Sequence, residues 1–254
     1  MTTIALSGCN GRMGRVITDL CEKRDSIKII AGFDKFYQKN GEFPVFADPN
    51  EFTGHVDAII DFSNISALDN LLDYALKTKT PLVLCTTGYA EEDILKIEKV
   101  SKEIPIFKSG NMSLGINLIM DLLKKSANVL GENYDVEVIE KHHNQKLDAP
   151  SGTALMLADS VKENLPYDAH YVYDRSQKME KRDSREIGIS AIRGGTIVGE
   201  HSVIFAGHDE VIEIKHSALS REVFANGAID ASVFISTCTK PKIYDMTDVI
   251  NSKN

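Results

Sequence analysis

Between Glu140 and Ala154 the chain reads EKHHNQKLDAPSGTA, which gathers proton-carrying and anion-binding groups into fifteen residues. His142 and His143 supply imidazoles, whose ordinary pKa of about 6.5 suits proton transfer near neutrality. Lys146 adds a fixed positive charge close by. Asp148-Ala-Pro-Ser151 reads as the start of a helix, with Ser151, Gly152 and Thr153 in its first turn. Backbone N–H groups at such a turn form a seat for a carboxylate or phosphate. If a strand runs through the histidine pair, the two rings face opposite sides, so they have different jobs or one is structural. A metal centre is not expected, because no ligand spacing ties His201 or His208 to this stretch.

A second cluster lies near the N-terminus. SGCNGRMGR, Ser7–Arg15, stands directly between an apparent strand and an apparent helix. Its glycines, Gly8, Gly11 and Gly14, allow a tight turn whose backbone can approach a pyrophosphate, while the helix start offers N–H groups and the positive end of its dipole. Asp34 ends the next strand, where an acid commonly meets the adenosine ribose hydroxyls. Lys35 follows it, and a cation there suits a 2′-phosphate, so NAD and NADP both stay open. CTTGY (Cys85–Tyr89) and SGNMS (Ser109–Ser113) fall at other strand ends, where open α/β sheets bind ligands, and are candidate walls of a nicotinamide pocket.

These groups need a scaffold, and the chain alternates strand and helix in the manner of βαβ units. Thr3–Ser7, Ile27–Phe33, Val56–Phe62, Pro81–Thr86 and Ile104–Lys108 read as strands. Arg12–Lys23, Ser66–Lys77 and Glu91–Lys102 read as the helices between them. This predicts an α/β fold with a parallel sheet covered on both faces. Near Gly110 the pattern changes. A long helix, Gly115–Leu130, and a strand, Tyr134–Lys141, precede three strands with no helix between them: Ile187–Ile192, Thr196–Phe205 and Glu210–His216. They predict a second α+β domain with an antiparallel or mixed sheet. The polar stretch Glu163–Glu186 reads as a mobile excursion. Ala225–Cys238 reads as a helix that fits either domain.

Composition narrows the partners. The 254 residues carry a formal charge of −8, which disfavours non-specific binding to nucleic acid or an anionic membrane. No apolar run approaches the roughly 20 residues that span a bilayer. The four scattered cysteines, Cys9, Cys21, Cys85 and Cys238, fit a reducing compartment, so a cytoplasmic protein is expected. None of them adjoins a histidine in sequence, which disfavours the cysteine-nucleophile chemistry of a semialdehyde dehydrogenase. A nucleotide cradle beside an acid–cation–anion cluster implies reduction of a small anionic substrate, with hydride from a nicotinamide and a proton from a histidine or lysine.

The same residues resemble the dihydrodipicolinate reductase family. The matching segments are GCNGRMG, DFS at Asp61–Ser63, TTG at Thr86–Gly88, EKHHNQKLDAPSGTA, IVGEH at Ile197–His201 and FANGA at Phe224–Ala228. They span the chain in the family's order. The resemblance implies reduction of a small cyclic dicarboxylate with NADH or NADPH in the diaminopimelate route to lysine. It further implies that His142 is the proton donor/acceptor and Lys146 the proton donor, and that His143, Gly152 and Thr153 bind substrate. Gly8, Cys9, Asn10, Gly11, Arg12 and Met13 would contact the nucleotide, together with Asp34, Cys85, Thr86 and Thr87. Ser109, Gly110, Asn111 and Met112 would do the same, and Lys35 would meet a 2′-phosphate. A Rossmann-type doubly wound domain over residues 1–113 and 221–254 is implied, with a substrate-binding and oligomerisation domain, 114–220, inserted between. The family is similar in forming cytoplasmic homotetramers through the second domain's sheet. Three departures stand out: Cys85 replaces a glycine and would narrow its wall, Met112 replaces an aromatic, and Glu163–Glu186 matches little of the family pattern.

Overall fold

Two sheets organise the chain, each with its own core. The computed structural model describes residues 1–36, 41–173 and 175–253. The chain divides into two compact units, Met1–Leu114 with Arg221–Asn254, and Gly115–Ser220.

Unit 1 is built on β1 (Thr2–Ser7), β2 (Ile27–Phe33), β3 (Val45–Phe46), β4 (Ala58–Asp61), β5 (Leu82–Leu84), β6 (Ile106–Lys108) and β12 (Ile243–Tyr244). Their order is β12-β6-β5-β4-β1-β2-β3, and every pairing is parallel. This is a doubly wound, Rossmann-type sheet. Strands covered on both faces need apolar side chains at every position rather than at alternate ones, and AIID of β4 is buried throughout. One face is covered by α1 (Arg12–Cys21), α6 (Glu222–Ser236) and α7 (Met246–Asn251), with Ile4, Leu6, Ile17, Ile229 and Met246 in that core. Most of the buried residues of α6 are small (Ala225, Gly227, Ala228, Ala231, Ser232), which lets its backbone pack close to the strands, while Ile229 and Ile235 fill the core between them. The other face is covered by α2 (Leu68–Thr78) and α3 (Glu91–Val100) through Leu71, Leu72, Tyr74 and Ile97. Each fully buried leucine or isoleucine contributes about 1.5–3 kcal/mol.

Unit 2 holds α4 (Leu114–Leu130), β7 (Asp135–His142), α5 (Gly152–Lys162), β8 (His170–Val172), β9 (Glu186–Arg193), β10 (Gly199–Ala206) and β11 (Val211–Ala218). Its sheet runs β11-β10-β7-β9-β8 and is mixed: β10 is antiparallel to β7 and β11, while β7, β9 and β8 are parallel. Along β7 burial alternates strictly, so Val136, Val138, Glu140 and His142 share the inner face. Val136 and Val138 pack there with Leu157 and Val161 of α5.

The expected mobile excursion is tied down. β8 lies within it, and Arg182 fastens the segment to the sheet through Asp135, Glu137 and the Val136 and Glu186 carbonyls. Asp174 lies outside the described residues. Among the described residues no helix is long and apolar enough to cross a membrane, and no group of three or more metal-ligating side chains is assembled.

Candidate active site

The glycine turn after β1 is shaped by close approach. Gly8 has φ of +75°, and a Cβ there would come within 2.6 Å of the Phe62 carbonyl oxygen. At Gly14 a Cβ would meet the Gly8 carbonyl oxygen at 2.3 Å, so α1 packs directly on the turn. Gly11 is the N-cap of α1 and brings no side chain to the first N–H groups. Asp34 is fixed at the end of β2: its carboxylate accepts the Asn10 N–H at 3.0 Å and the Phe36 N–H at 3.1 Å. Lys35 beside it is exposed.

A cleft of about 550 Å³ opens over this turn, lined by Gly8, Asn10, Gly11, Asp34 and Lys35 among others. Part of its remaining wall, including Pro49, Ser63, Asn64, Ser66 and Asn70, comes from segments that carry no binding motif in the sequence. The signal was available: Ser63 follows β4, and the strand-end rule applied to Cys85 and Ser109 applies equally there. A bare helix N-terminus, a turn that excludes side chains and an acid at the second strand end fit a dinucleotide.

The remaining nucleotide candidates divide. Arg12 and Thr87 are exposed and Met13 is half-buried. Thr86 donates its hydroxyl to Asp61, which also accepts from Ser63 and so ties the ends of β4 and β5 together. Ser109 and Asn111 are half-buried beyond β6 and fix their own turn, Ser109 Oγ donating to the Asn111 carbonyl. Gly110 there is exposed. Cys9, Cys85 and Met112 put their side chains into the hydrophobic core, so the Cys85 thiol is absorbed there. Burial, then the charge of Asp61, pushes that thiol well up, and burial followed by Asp34 pushes Cys9 to about 11. Thiols held protonated are poor nucleophiles.

In unit 2 the residues around His142 form one hydrogen-bonded group. β7 ends at His142, which is buried, while His143 beyond it is half-buried. His142 Nδ1 lies 2.6 Å from Glu140 Oε2. Glu140 is fully buried and takes both Arg193 guanidinium nitrogens, each at 2.7 Å, and the Ser151 N–H at 2.9 Å. Burial pushes the Glu140 carboxyl up, but the hydrogen bonds from Arg193, His142 and Ser151 outweigh it and hold the group below the usual carboxylate range. Ser151 caps α5, its Oγ accepting the Ala154 N–H at 3.1 Å and lying 3.0 Å from His201 Nε2. His201 packs edge-on against His142, the ring centroids 5.1 Å apart. Lys146 Nζ pairs with Asp148 at 2.8 Å.

His142, Lys146, Ser151, Gly152 and Thr153 are thus placed around one helix start and one strand end. Ser151 differs from the expected anion seat, since its N–H is directed inward to Glu140. The outward part of the turn is Gly152, which is exposed and where a Cβ would meet nothing within 4 Å, followed by Thr153. Glu140, Arg193 and His201 were not assigned roles from sequence. Arg193 is 53 positions from Glu140, and no local pattern marks such a pair.

Two family models divide the chain between them. "Dihydrodipicolinate reductase, N-terminus" matches residues 2–112, and "Dihydrodipicolinate reductase, C-terminus" matches residues 115–250. The chain belongs to the dihydrodipicolinate reductase family. Among its relatives is the 4-hydroxy-tetrahydrodipicolinate reductase of Clostridium tetani, 53% identical over 253 residues, covering 99% of this chain and 98% of that one. The enzyme of the same name from Clostridium botulinum is 51% identical over 250 residues, covering 98% of each. A dipicolinate-bound dihydrodipicolinate reductase from Paenisporosarcina sp. TG-14 shares the fold, with a TM-score of 0.80 at 21% identity over 96% of this chain and 97% of that one. Like the family, the chain is an NAD(P)H-dependent oxidoreductase.

Proposed function

We propose how the residues of this chain carry out the family's reaction, the NAD(P)H-dependent reduction of 4-hydroxy-tetrahydrodipicolinate to tetrahydrodipicolinate in the diaminopimelate route to lysine. The nicotinamide, when bound, supplies the hydride. Gly8 to Met13 hold the pyrophosphate through backbone N–H groups, and Asp34 meets the ribose hydroxyls, for which its fixed carboxylate at the cleft is the support. Lys35 meets a 2′-phosphate where there is one. Thr86, Thr87 and the backbone of Cys85 and of Ser109 to Met112 wall the nicotinamide end.

In unit 2, Lys146 and the turn at Gly152 and Thr153 hold substrate carboxylates, and His143 orients the ring. His142 and Lys146 supply the proton that balances the hydride, and the substrate's 4-hydroxyl leaves as water. The observation carrying this reading is the convergence of a buried imidazole, a lysine and a helix start within the segment from His142 to Thr153. We also assign cytoplasmic residence. Tetramer assembly is assigned to the outer face of the mixed sheet, where Ile192 and Val211 are exposed at 46% and 66% and Lys141 and Lys215 flank Glu200.

The test is Lys146→Ala. Loss of a positioned proton donor lowers kcat by about 10²–10⁴-fold, while nucleotide affinity, set in unit 1, stays at the wild-type value. Wild-type turnover in that variant would remove Lys146 from the mechanism.

A further inference from the structure

Glu140 is fully buried, and no step described above uses it. Its four contacts come from three different elements. Arg193, at the end of β9, grips both carboxylate oxygens; the N-cap of α5 donates a backbone N–H; and His142 lies on its own strand two residues on. Arg193 also donates to the Asp148 carbonyl at 2.5 Å, which ties the loop carrying Lys146 to the same guanidinium. An ionised carboxylate only accepts hydrogen bonds. With its two oxygens already turned to Arg193 and Ser151, Glu140 leaves His142 Nδ1 one part, that of donor.

We infer that Glu140 and Arg193 are positioning residues for the reaction, fixing His142 as the Nδ1–H tautomer so that Nε2 is the atom that exchanges the proton. This rests on the proton-transfer role proposed for His142. On its other side the ring nitrogen Nε2 faces Gly199 of β10, where an added Cβ would stand 3.1 Å away and crowd it. The charges near the ring are balanced. Glu140 on β7 is negative, Arg193 on β9 positive, and Lys146 pairs with Asp148. His201 lies on β10, paired in the ladder with His216 on β11. Burial first, then the proximity of His142, pushes His201 down to about 4, so it stays uncharged near neutrality. An imidazolium forming at His142 therefore has the carboxylate it already touches as its direct partner. In the resting state the same carboxylate is neutralised by Arg193.

The tautomer can be read in the wild-type protein. With isotope-labelled histidine nitrogens, and His142 assigned by comparison with His142→Gln, the neutral ring should carry its proton on Nδ1. A proton on Nε2 would overturn the inference whether or not any variant folds. In kinetics, Glu140→Gln keeps the shape and removes the charge. It should lower kcat by about 10²-fold with little change in KM. It should also shift the limb of the pH–rate profile that needs the protonated form downward by about one unit or more, since Arg193 is then unopposed. Glu140→Asp should recover part of kcat, and Arg193→Lys, which loses the two-pronged grip, should lower it. Wild-type kcat and pH profile in folded Glu140→Gln would contradict the role. Unchanged turnover in His142→Gln would remove the underlying proton-transfer reading, a result the tautomer measurement does not share.

Discussion

His201 shows how one residue couples the site to stability. Its ring is 5% exposed, shares a hydrogen bond with Ser151 Oγ, and leaves Nδ1 without a partner among the described residues. A histidine in the unfolded chain takes up a proton near pH 6.5, whereas burial and then His142 push His201 down to about 4 in the folded protein. Between these values the unfolded state binds a proton that the folded state refuses. Stability is therefore complete above about 6.5 and falls as the pH drops through the window, by up to about 3 kcal/mol. His216, also pushed down by burial, acts in the same direction. Glu140 acts in the same direction in its own, more acidic window: its ionised form stabilises the fold, and that contribution is lost as pH falls through its lowered pKa. Urea midpoints measured from pH 7.5 down to 5 should decline, and His201→Gln should flatten that decline. An equal slope in wild type and variant would show that the ring already shares its proton with solvent.

At the scale of elements, the segment leading into β9 depends on Arg182, whose guanidinium bonds three backbone carbonyls and two carboxylates while remaining 17% exposed. Arg182→Ala strips the Val136 and Glu186 carbonyls of a donor and should cost about 1–3 kcal/mol of unit 2 stability. Hydrogen exchange should quicken in β8 before it does in β7 or β10. Uniform exchange across all three strands would contradict a local pin. Such elements also mark the limit of sequence reading. Strands with clear alternation or continuous burial, such as Ile27–Phe33 and Asp135–His142, were visible within a residue or two. β3 and β12 have two residues each, too few for any period to register, and the three residues of β8 lie inside a polar stretch with no apolar run to mark them. The first turn of α5 was legible as an N-terminus because Ser151 has cap chemistry, but the direction of its N–H depends on Glu140, which sequence distance hides.

The whole molecule separates two tasks. Unit 1 carries the glycine turn and the cleft, and unit 2 carries the buried acid–base group. The Rossmann-type sheet follows from the order of strands and helices, and the roles in unit 2 follow from one dense motif. Neither reveals the polar residues that link strands far apart in the chain. The most direct measurement is steady-state oxidation of NADH and of NADPH, followed by absorbance, with the substrate generated in situ by its synthase. The account predicts rapid oxidation that depends on substrate, with the ratio of the two rates reporting the balance between Asp34 and Lys35. No oxidation of either nucleotide, by protein shown to bind it, would contradict the assignment of EKHHNQKLDAPSGTA to this reaction.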